Sequence, residues 1–108
     1  MRKELGTIKR ATFGFGGYDD VMIGFSITLG GEAWGVGDFA GTWATRPTYA
    51  EWTEEDQHAH FAKAVVLLRD TLRAAKKKDV AELAGTPVEV TFNGNRLASW
   101  RVLTEAIG

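Results

Sequence analysis

An alternation of apolar and small residues predicts β-strands in the first half of the chain. Over residues 21–29 every second residue is a large apolar one, which is the pattern of a half-buried strand. The pair Gly30-Gly31 predicts a turn. Residues 33–36 then predict the returning strand of a hairpin, and a looser alternation over residues 7–15 predicts a strand upstream. We therefore expect three strands before the middle of the chain.

A helical spacing of apolar residues follows. Phe61, Val65, Leu68 and Leu72 form one stripe of a helix. Thr53 can cap the free backbone N–H at its start, and the Lys-rich segment 76–78 suits the negative end of the helix dipole. The predicted helix has about 24 residues and a length of roughly 36 Å, which is enough to cross a small sheet.

A second short helix and a hairpin are predicted after it. Asp79 can cap a helix over residues 79–84, and Gly85 is a typical helix stop. Asn93-Gly94 is a strong turn signal between two alternating segments. A two-residue loop would pair the Val/Phe face with Leu97, Ser99 and Arg101. We favour a three-residue loop, which pairs Phe92 with Arg96, Val90 with Ala98 and Val88 with Trp100, and so keeps Val88, Val90, Ala98, Trp100 and Val102 on one buried face.

These elements predict a single domain over residues 1–108. Their order is β-β-β-α-α-β-β, with strands grouped on either side of one helical block. This order is typical of an α+β fold. We expect an antiparallel sheet of about five strands with one long helix packed across it.

Composition narrows the class of protein. The chain has 108 residues, a formal net charge of −1 and no Cys, which excludes disulfide frameworks and zinc–thiolate sites. The near-zero charge makes a nucleic-acid partner unlikely, because phosphate-backbone binders carry an excess of Lys and Arg. No apolar stretch approaches the ~20 residues of a membrane span, and the first residues lack a secretory signal. We expect a cytoplasmic protein with no membrane partner.

Patterns for catalysis and metal binding are weak. The glycine-rich segments 14–20 and 35–40 lack the Lys-Ser/Thr or the following helix that a phosphate loop needs. His58 and His60 are two residues apart and so do not share a helix face. Ser26 and Ser99 lie in predicted strands without a nucleophile-elbow pattern. We therefore expect no enzyme activity, no catalytic residues, no metal and no cofactor.

Aromatic residues supply the candidate ligand surface. Ten of the 13 glycines lie within residues 1–41, and nine of the twelve aromatic residues lie within residues 1–52. Aromatic rings beside Arg suit base stacking and cation–π contacts, and successive glycine N–H groups can bind an anion. The predicted ligand-binding residues are Phe15, Tyr18, Trp34 and Trp43 for stacking, Arg10, Arg46 and Arg101 for phosphates, and Gly16 and Gly17 for backbone contacts.

The order of several motifs resembles a family of proteins. These motifs are Gly16-Gly17-Tyr18-Asp19-Asp20, Trp34-Gly35-Val36, Gly41-Thr42-Trp43, Trp52-Thr53-Glu54-Glu55-Asp56, and the segments Pro87 to Phe92 and Ser99 to Glu105. Over nearly the whole chain this resembles small uncharacterised proteins of tailed bacteriophages and prophages. The resemblance carries no catalytic residues. It implies a phage context, in which small non-enzymatic proteins often act against host defence.

Three functions are compatible with these features. The leading expectation is a counter-defence protein that binds and sequesters a nucleotide second messenger, either a cyclic nucleotide or a cyclic ADP-ribose derivative, as a homo-oligomer in the host cytoplasm. The first alternative is a small inhibitor that binds a host defence protein directly. The second is an accessory factor of phage DNA metabolism, using the basic residues Arg69, Arg73 and Lys76 to Lys78.

Overall fold

A computed structural model describes residues 1–16, 20–44 and 51–107. It shows a compact α+β fold with a five-stranded antiparallel sheet and one long helix packed on it. The strands are β1 (Arg2–Gly16), β2 (Met22–Gly30), β3 (Gly35–Trp43), β4 (Pro87–Asn93) and β5 (Arg96–Val102), and the helix α1 (Glu54–Ala75) lies between β3 and β4 in the chain.

The second predicted helix is reduced to one turn. Val80–Glu82 form a 3₁₀ helix, so the order of the main elements is β-β-β-α-β-β. Asp79 caps it as predicted, since its Oδ1 accepts from the N–H of Ala81 at 2.9 Å. The turn stays short because the backbone after it pairs with β1: the N–H of Gly85 donates to the carbonyl of Ile8 at 2.7 Å. Leu83, directly after the turn, is fully buried in the core.

The strand β1 lies at the centre of the sheet. The strand order is β3-β2-β1-β4-β5. The 15 residues of β1 pair with β4 through their first part and with β2 through the rest, with an irregularity between Ile8 and Arg10. The predicted strand at residues 7–15 covers only the part that pairs with β2, because residues 2–4 are all charged and residues 2–6 lack a clear alternation of apolar and polar residues.

One face of the sheet carries the core. The buried side chains on it come from four strands, and the C-terminal half of α1 packs with them. Burial of such aliphatic and phenyl groups is the main stabilising contribution to the fold. The strand residues of this core cluster are Ile8, Phe25, Ile27, Leu29, Val88, Val90, Phe92 and Val102.

The capping prediction for α1 is confirmed. Thr53 Oγ1 accepts from the N–H of Asp56 at 3.2 Å, and the Asp56 carboxylate accepts from the N–H of Thr53 at 2.8 Å. This reciprocal pair satisfies two backbone donors at the helix start. It fixes where the helix begins, and with it the position of the aromatic residues around that end.

The register of the terminal hairpin differs from the favoured prediction. Phe92 pairs with Leu97, as a two-residue loop requires, but an irregularity at Thr91/Phe92 then shifts the register, and Val90 pairs with Trp100. The extra residue is Ala98, which is exposed rather than buried. A β-bulge of this kind turns the following side chains to the other face. Val88, Val90, Trp100 and Val102 therefore share the core face even though the predicted loop is wrong.

The sheet curls until its two edge strands approach each other. Trp100 on β5 donates from Nε1 to Asp38 Oδ2 on β3 at 3.1 Å, although three strands separate them in the sheet. A row of glycines, Gly14, Gly24 and Gly41, crosses β1, β2 and β3 in register. Glycine rows of this kind allow a sheet to bend sharply.

Candidate functional site

The outer face of β1, β2 and β3 is the face that α1 leaves uncovered. Phe13 on β1 contacts Phe61 on α1 edge to face, with ring centroids 5.9 Å apart, so α1 lies on the Phe13 side. Residues of the opposite parity point away from the helix. Their register gives three rows: Arg10, Thr28 and Gly37; Thr12, Ser26 and Phe39; and Gly14, Gly24 and Gly41.

A shallow depression on this outer face brings polar groups together. Its volume is about 230 Å³, and it is lined by Arg10, Thr12, Phe15, Ser26 and Thr28. Both threonines and Arg10 are exposed. Within the described residues, no carboxylate lies within 4.0 Å of the Arg10 guanidinium. The depression therefore offers three hydroxyl groups and a guanidinium that forms no ion pair with any described residue.

Phe15 and Gly16 are the other predicted site residues near this depression. Phe15 pairs with Ile23 and so belongs by register to the helix side of the sheet, but it borders the depression and is 69% exposed. Gly16 is the last residue of β1. Of the predicted set, the structure thus brings Arg10 and Phe15 to one depression, which Gly16 does not line, while Gly17, Tyr18 and Arg46 lie outside the described residues.

The two predicted tryptophans do not join this region. Trp34 packs edge to face on Phe92, with centroids 5.3 Å apart, and lies so close to Gly6 that a Cβ there would meet its ring at 2.8 Å. Trp43 is 6% exposed. The two residues flank opposite ends of the nine-residue strand β3, which is roughly 30 Å long at 3.4 Å per residue. The structure therefore does not bring these two rings into one hollow with Arg10: Trp34 is half-buried and borders a separate depression beside Arg2 and Glu32, and Trp43 is buried.

Arg101, another predicted ligand residue, is hydrogen-bonded to two carboxylates of the protein. Its guanidinium donates to both carboxylate oxygens of Glu105, at 2.9 and 2.8 Å, and to Glu89 Oε1 at 3.2 Å. These hydrogen bonds lower the pKa of Glu105 to about 2 and raise the pKa of Arg101. A phosphate would have to displace two carboxylates from Arg101, whereas Arg10 has no such competitor among the described residues.

A second aromatic cluster lies at the start of α1. Trp52 contacts Trp43, with centroids 5.2 Å apart, and stacks nearly parallel on His60 at 4.7 Å. Gln57 Nε2 donates to the carbonyl of Trp43 at 2.9 Å. This cluster joins the end of β3 to the helix, which explains why Trp43 is buried. Trp52 itself is 47% exposed.

Another depression, of about 370 Å³, lies between α1 and β5 and includes Asp38, Asp70 and Trp100. Both of its carboxylates already have hydrogen-bond donors, one within the depression and one outside it. Asp38 accepts from Trp100, and Asp70 accepts from Arg69 at 3.0 Å. We therefore regard the outer face as the better candidate site.

The described part of the chain contains no group of three or more His, Asp or Glu side chains that could together hold a metal ion.

Four residues of the outer face were missed by the sequence prediction. Thr12, Ser26 and Thr28 are the small polar residues between the apolar positions of β1 and β2, and Phe39 lies on β3 beyond the predicted strand 33–36. The alternation that identifies the core also places these residues together on the outer face. The sequence pattern could therefore have identified Thr12, Ser26 and Thr28 if the pairing of β1 with β2 had been predicted as well.

Comparisons with models of protein families, with curated proteins and with solved structures find no match to this chain. The helices in the described segments are all too short or too polar to span a membrane. Function must therefore be inferred from the geometry of the site.

Proposed function

We propose that this protein binds a small nucleotide-type anion on the outer face of β1, β2 and β3 and holds it without turnover. The observation that carries this proposal is the guanidinium of Arg10 beside the hydroxyls of Thr12, Ser26 and Thr28 in one depression. Two adjacent cross-strand pairs, Arg10 with Thr28 and Thr12 with Ser26, create that arrangement.

These groups match the chemistry of a phosphate ester. A guanidinium presents several N–H donors in a fixed plane and binds phosphate oxygens in a bidentate way. Hydroxyl groups can donate to the remaining phosphate oxygens or accept from sugar hydroxyls. Binding without turnover suits a lining made of one guanidinium, three hydroxyls and a phenyl ring.

The resemblance to bacteriophage proteins suggests a biological role for binding of this kind. In this proposal the protein sequesters a nucleotide second messenger, a cyclic nucleotide or a cyclic ADP-ribose derivative, that a host defence system produces. A sequestering protein must be abundant relative to its ligand, and a homo-oligomer in the host cytoplasm would provide several sites per particle.

Thermal-shift and calorimetric binding measurements test this function. The panel contains cyclic nucleotides and cyclic ADP-ribose species, because a ligand at 100 times its Kd adds about 2.7 kcal/mol of stability. We expect Arg10→Ala to weaken binding of the active compound at least tenfold, which corresponds to about 1.4 kcal/mol. Arg96→Ala is the matched control, since Arg96 is an exposed arginine on the distant strand β5.

Two results would contradict the proposal. One is the absence of a thermal shift with every compound in the panel. The other is a compound whose affinity is unchanged by Arg10→Ala, or is lowered equally by Arg10→Ala and Arg96→Ala. In the second case the ligand binds elsewhere on the protein.

A direct inhibitor of a host protein is the second candidate function. The observation that favours it is a group of exposed apolar residues on and before α1, namely Trp52, Val65 and Val66, which are 47%, 45% and 42% exposed. Exposed apolar groups commonly mark protein-binding surfaces. This candidate predicts no thermal shift with any nucleotide and a loss of inhibition with Trp52→Ala.

A further inference from the structure

We infer that Phe39 is the platform on which the planar base of the ligand stacks, so that the site selects a mononucleotide or cyclic nucleotide over a plain phosphate ester. This inference rests on the proposed function and deepens it. Phe39 occupies the same row as Thr12 and Ser26 and is 37% exposed. It was not among the residues predicted to bind ligand.

The ring of Phe39 lies close to the backbone of the glycine row. A Cβ on Gly41 would meet Cζ of the ring at 2.8 Å, and a Cβ on Gly16 would lie 3.8 Å from Cε2. The ring therefore extends from β3 across the sheet toward the end of β1. Because glycines lie beneath it, the ring can rest near the sheet while its other side is open to a flat ligand.

The backbone of Phe39 is held in place by the curled sheet. Its N–H donates to Asp38 Oδ1 at 2.9 Å, and Asp38 Oδ2 accepts from Trp100 Nε1 at 3.1 Å. A contact surface fixed in this way loses little conformational entropy when a ligand binds. Phe39 is thus better prepared for stacking than Phe15, which belongs by register to the other face of the sheet.

The separation of Phe39 from Arg10 suits one nucleotide. The two residues are two strands and one row apart. At about 4.8 Å between strands and 3.4 Å per residue, their Cα atoms are roughly 12 Å apart. The ring of Phe39 leans over Gly41 toward Gly16, away from the row of Arg10, so the gap between the ring and the Arg10 Cα is longer than this Cα separation. An Arg10 side chain extended toward the ring shortens the gap, and a phosphate and a pentose then occupy the space between the guanidinium and the ring.

Matched ligands separate the contribution of the base from that of the phosphate. Calorimetry compares adenosine 5′-monophosphate, cyclic AMP and ribose 5-phosphate on the wild type, Phe39→Leu and Phe39→Trp. We expect Phe39→Leu to weaken nucleotide binding about tenfold, in the range of one base–aromatic stack. Ribose 5-phosphate affinity should change less than about twofold, and Phe39→Trp should keep nucleotide affinity, as a larger stacking surface would.

The failures of the two proposals are distinguishable. If the wild type binds none of the three ligands and none of the second-messenger panel, the proposed function fails and the inference fails with it. If nucleotides bind and Arg10→Ala weakens them, but Phe39→Leu has no effect or weakens all ligands equally, only the role of Phe39 is overturned. A selective loss in Phe15→Leu, with Phe39→Leu unchanged, would assign the stacking to Phe15 instead.

Discussion

Gly24 lies where two strands approach more closely than any side chain allows. A Cβ at this position would clash with the carbonyl oxygen of Ala40 and lie 2.6 Å from the Cα of Gly41. These are backbone atoms, so they cannot move away without distorting β3. We expect Gly24→Ala to lower the free energy of unfolding by about 1–3 kcal/mol, the usual range for overpacking a folded interior. Urea denaturation followed by circular dichroism measures this change.

Gly14 provides the matched control in the same row. A Cβ there would meet no atom within 4 Å. Because alanine loses less conformational entropy than glycine in a strand, Gly14→Ala should leave stability unchanged or raise it by up to about 1 kcal/mol. Equal losses in the two variants would mean that the close approach at Gly24 is not what requires glycine.

The ion pair of Arg101 and Glu105 makes the free energy of unfolding depend on pH in the acid range. Hydrogen bonds from Arg101 lower the pKa of Glu105 from 4.5 to about 2 in the folded protein. The stabilising contribution of this pair is therefore complete above pH 4.5 and is lost as the pH falls toward 2. We expect Arg101→Leu to return the pKa of Glu105 toward 4.5, as measured by NMR titration of its carboxyl carbon. Arg96→Leu should leave the pKa near 2, and a low pKa that persists in Arg101→Leu would refute this cause.

Residue type alone could not separate the packed aromatic residues from those on the proposed ligand surface. Trp34 and Trp43 have the same chemistry as an exposed stacking ring, but Trp34 packs on Phe92 and Trp43 packs against Trp52. Trp34 and Phe92 are distant in the chain, and Trp43 and Trp52, although nine positions apart, do not lie in one strand or helix, so no periodic pattern identifies either contact. Alternation counted from Ala11 and Phe13 places Arg10 on the outer face, whereas alternation counted from Ile8 would place it in the core. The irregularity between Ile8 and Arg10 resolves this conflict in favour of the outer face.

At the scale of elements, short sequence motifs correctly predicted those features that depend on residues close together in the chain. The start of α1 follows from Thr53 and Asp56, which are three residues apart and cap each other. The terminal hairpin depends on two competing requirements. Its loop takes the short form that Asn93-Gly94 favours, and the bulge at Ala98 then restores the burial of Trp100 and Val102. Alternation alone placed Val88, Val90, Trp100 and Val102 correctly on the buried face, but it placed Ala98 there wrongly and predicted the pairing incorrectly.

At the scale of the whole molecule, the central position of β1 and the curl of the sheet arise from contacts between distant segments. Sequence patterns predicted the α+β class, the antiparallel sheet and the long helix, which the structure confirms. They did not predict that β1 pairs with both β2 and β4, because its first residues show no alternation. The outer face follows from that pairing, since Arg10 and Thr28 meet only when β1 and β2 are in register.

The bond between Asp38 and Trp100 gives a measure of how strongly the two edge strands are coupled. It joins residues 62 positions apart, on β3 and β5. In a double-mutant cycle of Asp38→Ala and Trp100→Phe, we expect a coupling free energy of about 0.5–1.5 kcal/mol, the usual net value of one hydrogen bond. Asp38→Ala combined with Arg96→Ala should be additive, because Arg96 lies on β5 but makes no bond to Asp38. Additivity in the first cycle would show that α1 and the core, rather than this bond, hold the edges of the sheet together.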